Sequence, residues 1–372
     1  MARTGLTRSA IRGLVGEFAA ADLVSEERAD PLGAPGRPSP LVCLNPQRAF
    51  VIGLEIAVDS LAGARVGLGG EVQDLRRIDR PRRHFAAEEI VADLARLAAG
   101  LRQRRRAGGD LIGIGVAVVG VARRSDGFVS TAPNLGWHNV PLGDRVRAVL
   151  GPAAPISVAN EADLGALAEA RRGAARGADD VLFVSGEVGV GGGIIVDGRP
   201  MTGVAGYGGE VGHIAVNPEG RPCRCGSVGC WETEVGERAL LHRAGHPVDG
   251  GRAAVDAVLR EAAGGSTRAL DAVNEVGHWL GVGLASLVNV LNPRLIVLGG
   301  LFGRVHPFVR ERLEAELDRR ALPAPRELVR ILPASLGVDA PVLGAAELAF
   351  EPLLADPSRW LRPRDLLDVA SA

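Results

Sequence analysis

The chain has 372 residues, 47% of them hydrophobic and 23% charged, enough to bury the cores of two or three compact units. Its formal net charge of -1 excludes a global basic field, so any contact with DNA has to come from a local patch. The longest apolar run, "LIGIGVAVVGVA" at 111–122, is too short and too glycine-rich to span a bilayer, and the N-terminus lacks the apolar stretch of a signal peptide. A cytoplasmic protein with no membrane partner is expected.

Near the N-terminus, Ile11, Leu14, Val15 and Phe18 recur at helical spacing and predict one amphipathic helix, capped by Thr7 and ending near Ala21. "LVSEE" and "SPLVCLN" then predict two short strands around a loop, "RADPLGAPGRP", full of glycine and proline. From Phe50 the pattern is strand, turn, strand, and the segment 180–201 repeats that plan, as if two related α/β domains each opened on a hairpin. Between the hairpins the spacing predicts a helix over 88–106, a buried strand over 111–122, a loop "TAPNLGWHNVPLGDR" and a helix in "NEADLGALAEARRG". A long helix over about 267–290, the strand "RLIVLGG" and an amphipathic helix in "VLGAAELAFEPLL" complete an α/β order.

Three of the four cysteines crowd together: Cys223, Cys225 and Cys230 follow His213, while Cys43 stands apart. One imidazole and three thiolates make a closed tetrahedral set suited to Zn²⁺, with no open position for catalytic water. Such a staple fixes a loop too poor in apolar residues to hold itself.

Gly209, Glu210, Gly212 and His213, followed by Cys223, Cys225, Gly226, Gly229, Cys230 and Glu232, resemble the signature of the ROK family (repressors, open reading frames and kinases). The similarity runs from about residue 50 to 352 and includes "APNLGWHNVPL", "NPRLIVLGG" and "LGAAELA". It implies two actin-like, ribonuclease H-like α/β domains with a cleft between them, preceded by a partial winged helix-turn-helix. The head would occupy 1–47, the first domain 48–158 with the C-terminal helix in 342–372, and the second domain 159–341 with its zinc loop at 206–232.

By the same resemblance, Glu210 and Glu232 would accept hydrogen bonds from sugar hydroxyls and His213 would offer the nitrogen that does not face the metal. Asn134 would reach the sugar from the other domain, with Asn160 and Glu161 completing the site. The phosphate-handling positions differ from the family's kinases. Where those carry Asp-x-Gly-Gly-Thr, this chain has "EIAVD", with Glu55, Ala57, Val58 and Asp59 at the altered places. Where they carry Gly-Thr-Gly, it has Glu187, Val188 and Gly189, and Glu161 replaces the catalytic aspartate. Acids in a phosphate seat repel phosphate, and Glu161 carries an extra methylene that displaces its carboxylate.

The expectation is therefore a sugar-responsive regulator, of the repressor kind, without catalytic residues. Its partners would be a sugar or sugar-phosphate effector, operator DNA, and one or three further copies of itself as a homodimer or homotetramer. Arg8, Ser9, Arg12 and Arg37 would face DNA. The first two helices of such a head are expected ahead of Met1. A ROK sugar kinase and a sugar-binding remnant without a DNA role are the alternatives.

Overall fold

Thr7 caps the first helix, α1 (Arg8–Ala20), by accepting from the Ala10 N–H. The computed structural model describes residues 5–27, 40–103, 109–151 and 154–360. Arg37, the far end of the helix expected over 88–106, and the last twelve residues of the expected C-terminal segment lie outside them.

Two strands, β1 (Val24–Glu27) and β2 (Leu41–Leu44), pair antiparallel beside α1. Arg8, Ser9 and Arg12 are exposed, and α1 itself buries no residue. What attaches this head is the end of the helix. Phe18, Ala21 and Leu23 pack with Val51, Val66, Val342 and Phe350 of the body. Arg48, nearly fully buried, donates from Nε to the Ala21 carbonyl at 3.0 Å and pairs with Asp110.

The first lobe is built from β3 (Ala49–Ile56), β4 (Ser60–Gly67), β5 (Val72–Asp79), α2 (Ala87–Arg102), β6 (Asp110–Val118), β7 (Val121–Ala122), β8 (Val129–Ala132), β9 (Trp137–Val140), α3 (Leu142–Leu150) and β10 (Ile156–Asn160). Its main sheet has the order β10-β6-β3-β4-β5, and every residue of β3 and β4 is buried, the polar Glu55, Ser60 and Arg65 included. Two expectations need correction. The single strand over 111–122 is broken at Gly120, whose φ of 119° only glycine adopts readily. The segment read as a loop, 131–145, holds part of the β8–β9 hairpin and the start of α3. Its strands are too short to show a period of two, and its Pro, Asn and Gly read as turn residues. Trp137 nevertheless inserts into the core and donates from Nε1 to the Phe85 carbonyl at 2.9 Å.

The second lobe contains α4 (Glu161–Arg172), β11 (Val181–Gly186), β12 (Val190–Val196), β13 (Arg199–Pro200), α5 (Trp231–Val235), α6 (Glu237–Ala244), α7 (Gly251–Ala263), α8 (Thr267–Leu291), β14 (Leu295–Gly299), α9 (Gly300–Arg320), α10 (Pro323–Leu328) and β15 (Arg330–Pro333). Its sheet order is β13-β12-β11-β14-β15. The two sheets share one plan. In each, the first hairpin strand pairs antiparallel with its partner and parallel with a later strand, so the repeat glimpsed in the sequence is a repeat of topology.

The chain finally returns as α11 (Ala340–Ala355), which lies on β3 and β6 of the first lobe. Glycines make that approach possible: a Cβ on Gly53 or Gly115 would fall 2.2 Å from the Val342 carbonyl or 1.9 Å from that of Ala345. Where α11 crosses α4, Gly344 plays the same part against Leu164. Among the described residues, no helix is long and apolar enough to cross a membrane.

Candidate functional site

A cavity of about 560 Å³ runs between the lobes, and Asn134, Asn160, Glu161, Glu210, His213 and Glu232 all line it. One end is polar and close to the cysteines. The other lies at the turns of the two opening hairpins.

The ligand atoms of His213, Cys223, Cys225 and Cys230 lie within 4.8 Å of one another. Cys223 Sγ is 3.7 Å from His213 Nδ1, and Cys225 Sγ is 3.6 Å from Cys230 Sγ. A tetrahedral site with metal–sulfur bonds of about 2.3 Å places sulfurs roughly 3.8 Å apart, so these two pairs already sit at the spacing a metal ion requires. The loop is held by Trp231, which is fully buried and donates from its indole to the Trp279 carbonyl at 2.8 Å. Its ring lies so close to α8 that a Cβ on Gly283 would meet it at 2.2 Å. Cys230 and Glu232 flank this anchor, so both are fixed to the same buried ring.

His213 divides its ring between two tasks. Nδ1 faces the cysteines, while Nε2 faces Glu210 Oε2 at 3.9 Å. Burial pushes the Glu210 carboxyl above its ordinary pKa, and the His213 charge opposes that. Glu232 and Asn134 converge over Gly189, where a Cβ would lie 2.8 Å from Glu232 Oε2 and 3.9 Å from Asn134 Nδ2. Asn160 lines the cavity, but its side chain is engaged: Oδ1 caps α4 at Ala162 and Asp163, and Nδ2 donates to the Gly120 carbonyl. Arg224, absent from the sequence reading, donates from Nη1 to Asn134 Oδ1 at 2.9 Å and so spans the cleft. Nothing in an arginine between two cysteines signals this.

At the hairpin end every predicted acid is present. Glu55 is nearly fully buried and pairs with Arg77 at 3.1 Å; Arg77 also reaches Asp339 and the Val338 carbonyl ahead of α11. Burial outweighs Arg77 and lifts the Glu55 pKa to about 7. Glu161 rises further, to about 8, through burial and then the charges of Glu55, Glu187 and Asp59.

Asp59 brings the negative charge expected at this position, but it does not stand alone: Arg82 binds its Oδ2 at 2.9 Å and Arg252 its Oδ1 at 3.2 Å. "RPRRH" and "GGRAA" look like solvated runs, so these partners were invisible in one dimension.

The Glu187 carboxylate has a definite seat. A Cβ on Gly300 would lie 3.0 Å from its Oε1, which places it against the amino end of the long helix α9. Unpaired N–H groups and the helix dipole make such an end a natural anion site. Here a carboxyl of the protein itself lies in that place. Burial raises the Glu187 pKa and the Arg252 charge opposes the shift. Val188, beside it, lines the cavity with no hydroxyl to offer.

A family model described as the ROK family matches residues 51–351. The chain belongs to the ROK family. The two lobes accordingly carry the actin-like fold of ROK sugar kinases and regulators. Among ROK proteins, a xylose repressor from Bacillus spizizenii is 28% identical over 352 residues, covering 94% of this chain and 90% of the repressor. The crystal structure of a ROK transcriptional regulator, described as a homolog of the E. coli MLC protein, superposes with a TM-score of 0.77 at 25% identity, covering 92% of this chain and 88% of that one. A ROK glucokinase from Streptomyces griseus, solved with glucose and AMPPNP, gives 0.70 at 30% identity, covering 81% of this chain and 99% of the kinase.

Proposed function

We propose that this ROK protein is a sugar-responsive transcriptional regulator that binds a sugar between its lobes and does not phosphorylate it. The observation that carries the reading is the occupied phosphate end. Glu187 sits on the amino end of α9, and Asp59 is held by two arginines, so the places a triphosphate would use are filled by the protein's own charges. The sugar end keeps Asn134, Glu210, His213 and Glu232 facing one cavity. A hydroxyl-rich ligand needs such convergent acceptors to replace the hydrogen bonds it loses to water.

Zn²⁺ is the ion we assign to His213, Cys223, Cys225 and Cys230. With its four ligands supplied by the protein it takes no part in chemistry and fixes the loop that aims Glu210, His213 and Glu232. The head supports the regulator over the enzyme. The repressor and regulator relatives cover 92–94% of this chain, whereas the glucokinase, matched over 99% of its own length, covers 81%. Arg8, Ser9 and Arg12 on the exposed side of α1 are the DNA-facing residues we assign, and two copies of the chain would read paired half-sites.

The second reading is a sugar kinase, and Glu161 favours it: a carboxylate lining the cleft with a pKa near 8 resembles a general base. One experiment separates the two. The zinc-loaded protein is screened by thermal shift against xylose, glucose and other sugars, and the same sugars are assayed for ATP turnover. The regulator reading expects a sugar at a hundred times its Kd to add about 2.7 kcal/mol of stability, with no turnover. Sugar-dependent turnover abolished by Glu161→Ala would establish the kinase.

A further inference from the structure

Two arginines and two carboxylates join the lobes at the hairpin end. Arg82 follows β5 in the first lobe. It binds Asp59 of its own lobe through Nε at 3.1 Å and Nη2 at 2.9 Å, and it reaches across to Glu237 of α6 through Nη1 and through Nη2 at 3.1 Å. Arg252, near the start of α7 in the second lobe, reaches back to the other oxygen of Asp59. The cleft is thus crossed twice by one continuous chain of charges. The clasp is also tied to the second hairpin, because the Glu237 N–H donates to the Glu187 carbonyl at 3.2 Å.

We infer that Arg82 and Arg252, with Asp59 and Glu237, form an ionic clasp that holds the lobes closed, and that Arg82 is a positioning residue for sugar binding. The physical argument rests on Glu237. Its side chain is only 4% exposed, and Arg82 is its side-chain ion-pair partner among the described residues. Without the guanidinium, the closed state would bury a carboxylate with no counter-charge, a penalty that opening the lobes removes. Arg82 and Asp59 are themselves mostly shielded, so salt screens them less than surface pairs but reaches them when the cleft opens. Opening also separates Asn134 from Glu210, His213 and Glu232. Any sugar held by both lobes therefore binds the closed state better, and the clasp and the sugar favour the same conformation. This last step rests on the sugar-binding reading of the cleft; the clasp itself does not.

The test uses the full chain with genetically encoded spin labels at the exposed positions Val149 of α3 and Leu328 of α10, one on each lobe. Without sugar, Arg82→Ala and, independently, Arg252→Ala are expected to lengthen and broaden the distance distribution. Raising NaCl is expected to do the same to the native chain and little to the variants, and Arg82→Lys to restore part of the closure. Sugar affinity should fall roughly tenfold in Arg82→Ala, with no change in zinc content. Unchanged distances in both folded alanine variants overturn the clasp. If the lobes open but no sugar binds even the native chain, the clasp stands and the sugar reading fails.

Discussion

Cys230→Ala is expected to empty the metal site and to weaken sugar binding by about ten- to a hundredfold. Cys230 is fully buried beside Trp231, and Glu232 follows at once, so the thiolate and the acid share one short helix start. Removing one of four ligands leaves the loop from Ile214 to Cys230 with few apolar contacts of its own. Structural zinc sites contribute on the order of 10 kcal/mol of binding free energy to the folded state. Metal content measured by elemental analysis should drop from one zinc per chain to none, with a large loss of thermal stability, and a chelator should reproduce both effects on the native protein. A variant that keeps its melting temperature and its sugar affinity without metal would show that the loop holds itself.

The second large effect is a pH dependence centred on Glu161. Its pKa is raised from an ordinary 4.5 to about 8, mainly by burial and then by Glu55, Glu187 and Asp59. An acid raised on folding contributes stability that is fully present below its unfolded pKa and is lost as pH climbs through the folded value. The window therefore runs from about pH 4.5 to about pH 8, with stability falling throughout. At about 1.4 kcal/mol per unit, the full shift corresponds to roughly 5 kcal/mol. Glu161→Gln removes the titration. Denaturant unfolding is expected to show the glutamine variant gaining on the native chain by about 4 kcal/mol between pH 5 and pH 8.5. Parallel stability curves would mean that the carboxylate is solvated in the folded protein.

Much of this site could be read in one dimension because its chemistry is local. The metal ligands, the Gly-Glu-x-Gly-His element and the acids of both hairpins sit in short stretches whose spacing carries the meaning, and all of them line one cavity or one cluster. The duplicated hairpin was legible too, since each copy shows two mostly apolar stretches separated by a short turn. What escaped has a common cause. Arg77, Arg82, Arg224 and Arg252 find their partners across the fold, at separations that leave no periodic trace. Asp59 illustrates the consequence: its charge was visible and its neutralisation was not. The β8–β9 hairpin was missed for a different reason, as four-residue strands are shorter than the window in which alternation becomes a signal.

On the proposed reading, the filled phosphate end would let a kinase-like scaffold serve regulation. A switch needs a ligand that discriminates between open and closed lobes, and no turnover is required. Asp59, Arg82, Glu237 and Arg252 provide inter-lobe contacts where a kinase would rely on nucleotide, and the Glu187 carboxyl lies beside the amino end of α9.

Isothermal calorimetry of the zinc-loaded chain with Mg·AMPPNP, with and without a sugar found by the thermal screen, tests this idea most directly. The account predicts sugar binding and no saturable nucleotide heat up to about 1 mM, the affinity equivalent of roughly 4 kcal/mol. Nucleotide binding at micromolar strength, tightened by the sugar, would contradict it.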